Sequence, residues 1–126
     1  MTKHKTQVAV VDDDESFSRA LGRMLRASGF DIVVYRSGEA FLGDASNAKL
    51  DCAVLDIQLD GMSGLELCRR MVETGWTMPV IFVTAHDEPE IRHEAQDIGC
   101  SAYLRKPVRG EVLVEAIVQA VSAASQ

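Results

Sequence analysis

Three consecutive acidic residues, Asp12, Asp13 and Asp14, follow the apolar run Val8 to Val11, and a fourth aspartate, Asp56, closes a second run, Ala53 to Leu55. Thr84 follows the run Val80 to Val83, and Lys106 and Pro107 stand just beyond Ala102 to Leu104. A carboxylate is a nucleophile, and a hydroxyl and an ammonium are donors that can hold an oxyanion. If the first and second of these runs are neighbouring strands, at least two of the first three carboxylates meet Asp56 in one cleft. Like charges so placed repel unless a cation intervenes. A hard divalent ion such as Mg²⁺, which prefers carboxylate oxygen and water, answers that need. One aspartate after a strand serves as readily as a turn residue or helix cap, and one lysine as a surface charge. Four polar sites at four strand ends favour chemistry.

The elements that must position these residues follow from periodicity. Short β-branched runs alternate with longer segments of helical spacing, the pattern of parallel strands joined by crossover helices. Strands are predicted at Val8 to Val11, Ile32 to Tyr35, Ala53 to Leu55, Val80 to Val83 and Ala102 to Leu104, their continuous hydrophobicity implying burial on both faces. Phe17, Leu21, Met24 and Leu25 mark a first helix ended by Gly29. Ser37 caps a second carrying Ala40, Phe41 and Ala45; Ser63 caps a third with Leu67, Met71 and Val72 as its apolar stripe and Gly75 at its end. Ile91, Ala95 and Ile98 before Gly99 form a narrower stripe, so the fourth helix is the least firmly anchored; Leu113, Ala116, Ile117, Ala120 and Val121 mark the last. Right-handed crossovers make this a doubly wound α/β fold, flavodoxin-like (βα)5, with a five-stranded parallel sheet in the order 2-1-3-4-5. In such sheets the site lies beyond the carboxyl ends of the strands, where all four polar groups fall.

Composition bounds the rest. At 126 residues and 47% apolar, the chain is expected to form one domain over residues 1–126, with no repeat or linker dividing it. A net charge of −6 without a Lys/Arg cluster argues against direct nucleic-acid binding. Cys52, Cys68 and Cys100 are scattered and odd in number, as in reduced thiols of a cytoplasmic protein. The leader before Val8 and the four-residue run after it are too short for a signal peptide or membrane span. His4 and His93 lack a partner pattern and read as exposed, and Trp76 beside Gly75 reads as a cover for the core.

VVDDD at Val10 to Asp14, LDIQLDGMSGLEL at Leu55 to Leu67, VTA at Val83 to Ala85 and YLRKP at Tyr103 to Pro107 together resemble the signature of response-regulator receiver domains, over essentially the whole chain. YRSGEAFL at Tyr35 to Leu42 is similar to FixJ-type receivers. The resemblance implies two-component phosphorelay signalling: Asp56 as phosphoacceptor, Asp12 and Asp13 as the acidic pair holding Mg²⁺ or Mn²⁺ with Asp56 itself, and the backbone carbonyl of Gln58 as a further metal ligand. It implies Lys106, Thr84 and Ala85 at the phosphoryl group, with Tyr103 turning inward behind Thr84 when the switch is thrown. Gln58 and His86 occupy the variable positions that set phosphoryl lifetime. Asp60 stands where many receivers have Pro; it could loosen the loop or perturb the metal site, and facing solvent is the plainer expectation. Implied partners are a histidine kinase or phosphotransfer protein, with a homodimer on phosphorylation, and no membrane. The domain is expected to be a phosphoacceptor and not a turnover enzyme.

Other functional classes fit these residues less well. A small Mg²⁺-dependent phosphohydrolase with an aspartate nucleophile usually has an acid two positions later, where this chain has Gln58. A flavodoxin-like cofactor binder needs a Gly- or Ser/Thr-rich phosphate loop after the first strand, where three aspartates stand instead. A receiver-like module that is never phosphorylated would not need the full Asp, Thr and Lys set. The FixJ-type flavour favours the amino-terminal part of a transcriptional regulator over a stand-alone receiver.

Overall fold

The structure is a computed structural model and describes residues 5–44 and 49–124. The elements alternate strictly: β1 (Gln7–Val11), α1 (Glu15–Ala27), β2 (Asp31–Tyr35), α2 (Gly38–Leu42), β3 (Cys52–Asp56), α3 (Gly64–Glu73), β4 (Val80–Thr84), α4 (Pro89–Ile98), β5 (Ala102–Arg105) and α5 (Gly110–Ala124). All strands run parallel in one sheet, in the order β2-β1-β3-β4-β5, as the sequence pattern requires. The register pairs Val11 with Leu55, Asp56 with Val83 and Thr84 with Arg105, which brings the carboxyl ends of β1, β3, β4 and β5 level along one rim.

Alternation along the strands divides the core between two faces. Ala9, Val11, Ala53, Leu55 and Phe82 pack with Phe41, Leu67, Met71 and Ala95, whereas Val8, Val10, Val54, Ile81 and Val83 pack with Leu21, Leu25, Leu113 and Ile117. Helices α2, α3 and α4 therefore cover one face, and α1 and α5 the other. Trp76 lies edge-on against Phe41, 5.3 Å between ring centres, as the cover expected of it.

The helix starts obey their caps. Asp14 accepts the Phe17 N–H at 3.1 Å, Ser37 that of Ala40 at 3.0 Å and Ser63 that of Glu66 at 3.1 Å. Gly29, Gly75 and Gly99 follow α1, α3 and α4 with φ of 98°, 87° and 99°, the left-handed geometry that ends a helix without a Cβ clash. Helix α4 has no side-chain cap and buries only Ala95 fully, which bears out its thin anchoring.

Three expectations need correction. Burial on both faces holds for β1, β3 and β4, but β2 is the sheet edge and leaves Val33 and Val34 37% and 40% exposed, while β5 at the other edge is half-buried. Val72 does not join the α3 stripe: it is 56% exposed, one residue round the helix from buried Met71. Strands β3, β4 and β5 each run one residue further than predicted, to include Asp56, Thr84 and Arg105. Ala45 and His4 lie outside the described residues. His93 is exposed, although its ring nitrogen stands 3.4 Å from Asp97 one turn on. The three cysteines are free.

Candidate functional site

Three chain segments converge on the rim. Asp12 directly follows β1, and its N–H donates to the Tyr35 carbonyl at 3.0 Å, so the residue is held as an extension of the sheet. Its side chain is turned inward, and the residue is 2% exposed. One carboxylate oxygen accepts the Asp14 N–H at 2.9 Å; the other accepts from the Lys106 ammonium at 2.9 Å. Asp56, at the end of β3 and 4% exposed, is held in the same manner: Oδ1 accepts the Gln58 N–H at 2.9 Å and Oδ2 the Lys106 ammonium at 3.2 Å. Asp13 is exposed at the cleft's edge. One carboxylate oxygen from each of Asp12, Asp13 and Asp56 lies within 4.8 Å of the others.

The backbone around Asp56 leaves no slack. Gly64 begins α3 with its N–H on the Ile57 carbonyl at 3.0 Å, and a Cβ there would come within 2.3 Å of the Asp56 carbonyl oxygen. The intervening loop reaches back to the acidic group, since the Asp60 N–H donates to Asp13 Oδ2 at 3.0 Å. Asp60 faces solvent, and its N–H, which a proline lacks, ties the loop to Asp13.

Three carboxylates against one ammonium leave the cleft short of positive charge. Burial raises the pKa of Asp56, and the Asp12 charge adds to that, while the Gln58 N–H and Lys106 work in the opposite direction. For Lys106, burial would lower the pKa, but its hydrogen bonds and charge interactions with Asp12 and Asp56 outweigh it, and the ammonium form is held above its ordinary range. Oxygen donors so close together fit a hard divalent cation.

Thr84 is fully buried at the end of β4, beside the cleft but not bonded to its carboxylates. Its hydroxyl donates to the His86 carbonyl at 3.3 Å and accepts the His86 N–H at 3.0 Å, and its own carbonyl accepts the Lys106 N–H at 2.8 Å. Gln58, Ala85 and His86 are exposed around the mouth. The Lys106–Pro107 peptide is cis.

Tyr103 stands apart from the carboxylates. Its ring lies under the Arg92 guanidinium, 4.9 Å from the ring centre, and Arg92 also bonds Asp87 at 2.6 and 3.3 Å. The Tyr103 hydroxyl is buried near Asp87 without a hydrogen bond, and burial together with the Asp87 charge raises its pKa. Arg92 in turn holds Asp87 below the usual carboxylate range.

Two participants escaped the sequence reading. Phe17 lies beneath the Lys106 ammonium at 4.1 Å from its ring centre, and Arg92 links the β4–α4 loop to Tyr103. The helical spacing of Phe17 marks it only as a core residue of α1, and a single Arg on an exposed helix face carries no signal at all.

Comparison with known proteins finds relatives along nearly the whole chain. A family profile described as the response regulator receiver domain matches residues 8–118. The response regulator protein TmoT of Ectopseudomonas mendocina is 32% identical over the whole chain, which spans 57% of that protein. The transcriptional regulatory protein FixJ of Rhizobium meliloti strain 1021 is 34% identical over 90% of the chain and 55% of its own length. The crystal structure of FixJ-N superposes with a TM-score of 0.87 at 32% identity, covering 95% of this chain and 96% of that one. The chain thus spans little more than half the length of the curated relatives it matches. Among the described residues no helix is long and apolar enough to cross a membrane.

Proposed function

The chain belongs to the response regulator receiver domain family, a signalling family of two-component systems, and on that premise we propose that Asp56 accepts a phosphoryl group from a histidine kinase or phosphotransfer protein. The observation that carries the reading is the convergence of Asp12, Asp13, Asp56 and Lys106 on one rim of the sheet.

Asp12, Asp13 and Asp56 would hold Mg²⁺, or Mn²⁺ in its place, together with the backbone carbonyl of Gln58. When bound, the ion supplies charge that offsets the oxygens of the transferring group. The remaining work falls to the chain. An Asp56 carboxylate oxygen attacks phosphorus in line, its bond to the donor breaks, and an acyl phosphate forms on Asp56 as the donor leaves with the bonding pair. The Gln58 N–H fixes the orientation of the attacking carboxylate by holding its other oxygen. The Lys106 ammonium, already on Asp56 Oδ2, moves with the incoming oxygens as their second cation. Thr84 gives up its bonds to His86 and donates to the phosphoryl group beside Ala85, and Tyr103 turns inward behind it. Gln58 and His86, both exposed at the mouth, govern how easily water reaches the acyl phosphate.

The product is an altered surface and not a released molecule, so the domain is not a turnover enzyme. Residues 1–126 act as one receiver in the cytoplasm, the amino-terminal part of a transcriptional regulator that dimerises on phosphorylation, with nucleic-acid contact made elsewhere. Incubation with acetyl phosphate and Mg²⁺ should add one phosphoryl group by intact mass, and Asp56→Asn should abolish the addition. Equal labelling of the Asn variant would disprove the assignment.

A further inference from the structure

We propose that Phe17 is a positioning residue for phosphoryl transfer, its ring face holding the Lys106 ammonium at the cleft. The inference deepens the reading of Asp56 and Lys106 above and rests on it. A lysine ammonium is a point charge on a flexible four-carbon stem, and its three donors do not by themselves choose a direction. Here three groups surround it. Asp12 Oδ2 stands at 2.9 Å, Asp56 Oδ2 at 3.2 Å, and the ring centre of Phe17 at 4.1 Å, while only 16% of the Lys106 side chain is open to solvent. The electron-rich ring face takes the place of water on the side where no carboxylate stands.

The sequence places this ring with care. Phe17 is the third residue of α1, and its own N–H is the one that the Asp14 side chain caps at 3.1 Å. The helix that begins immediately after the acidic run therefore carries the ring back over it. Phe17 is half-buried against the core shared by α1 and α5, so the ring has a fixed seat. A leucine would fill that seat and offer no charge complement. The consequence for transfer is kinetic: with the ring in place, the ammonium stays over Asp56 as the donor arrives, and without it the stem swings to the open side.

The test is the rate of Asp56 labelling by acetyl phosphate with Mg²⁺ in the full chain. Position 17 carries Phe, Leu, or phenylalanines of increasing fluorination, which drain the ring face while keeping its shape. We expect the rate to fall stepwise with fluorination, by about fivefold to thirtyfold in all, the range of a partly desolvated cation–π contact. Phe17→Leu should fall as far, and Phe17→Trp should keep most of the rate. In a Lys106→Met background, Phe17→Leu should have no further effect. Undiminished labelling by the most fluorinated chain, or an equal loss on Phe17→Leu with and without Lys106, would overturn the proposal by reducing Phe17 to packing. Lys106→Met labelling as fast as the unaltered chain would instead strike down the role of Lys106, and this proposal with it.

Discussion

Replacing Lys106 by methionine keeps the length and packing of the stem and removes a cation bonded to both Asp12 and Asp56. At an effective dielectric constant of about 20, each contact near 3 Å is worth roughly 5 kcal/mol of gross attraction, and two carboxylates with oxygens within 4.8 Å of each other repel by roughly 3.5 kcal/mol or more. Most of the attraction offsets desolvation, and breaking a buried pair from one side costs about 3–5 kcal/mol. Relaxation of the emptied cleft and entry of water limit the loss to the low end, about 3 kcal/mol. At about 2.1 cal/mol/K per residue, a chain of this length unfolds with an entropy near 0.26 kcal/mol/K, so Tm should drop by about 10 °C in EDTA near neutral pH. Excess Mg²⁺ should return more stability to the variant than to the unaltered chain, because the emptied cleft attracts a divalent ion more strongly; a hundredfold excess over Kd contributes about 2.7 kcal/mol. The pH dependence has a definite sign. Asp56 already has a pKa raised above 3.8 by burial and Asp12, and losing Lys106 raises it further. The native state then binds protons that the unfolded state does not, so the variant's deficit should shrink as pH falls from neutrality toward that raised pKa. Thermal scans by fluorimetry, with EDTA or Mg²⁺ across that range, test all three statements. A variant within about 2 °C of the parent in EDTA, or one whose deficit grows on acidification, would refute the account of the cleft as a charge-starved site.

Two other substitutions probe the surroundings. Gly64→Ala drives a methyl group to within 2.3 Å of the Asp56 carbonyl oxygen, a backbone atom that cannot turn aside; it should destabilise by about 3 kcal/mol, seen as a lower urea midpoint, and an unchanged midpoint would contradict the tightness of this turn. Arg92→Ala removes an exposed link that solvent screening leaves with little weight in global stability, yet it frees α4 from Tyr103 and Asp87, so amide exchange over Pro89–Ile98 should quicken with little change in Tm; equal exchange in both proteins would show that α4 is anchored by other means.

Strand order, helix faces and the four polar strand ends were legible because they repeat signals the chain states locally: runs of Val and Ile, caps at Ser37 and Ser63, glycines at Gly29, Gly75 and Gly99. Burial at the edges was not. Ile32, Val33 and Val34 read like Val8, Ala9 and Val10 in composition, which implies burial on both faces for either run, although the predicted order 2-1-3-4-5 already puts Ile32 to Val34 at an edge. Val72 failed for a similar reason, since an apolar residue next to buried Met71 gives no local sign that it has turned past the core. The convergence of Asp12 and Asp56 was foreseeable from strand adjacency. Contacts made through side-chain reach, Phe17 under Lys106 and Arg92 over Tyr103, join residues 89 and 11 positions apart and depend on rotamers that no periodicity encodes.

The paired bonds between the Thr84 hydroxyl and the peptide of His86 make those two residues a single gear. Under the proposed reading, the hydroxyl cannot swing toward the acceptor while the loop stays still, because the same oxygen anchors the chain on its far side. Whatever pulls Thr84 inward must release the segment leading into α4, the helix with the fewest buried residues to resist. A change of partner at one oxygen is thereby geared into the displacement of a whole surface.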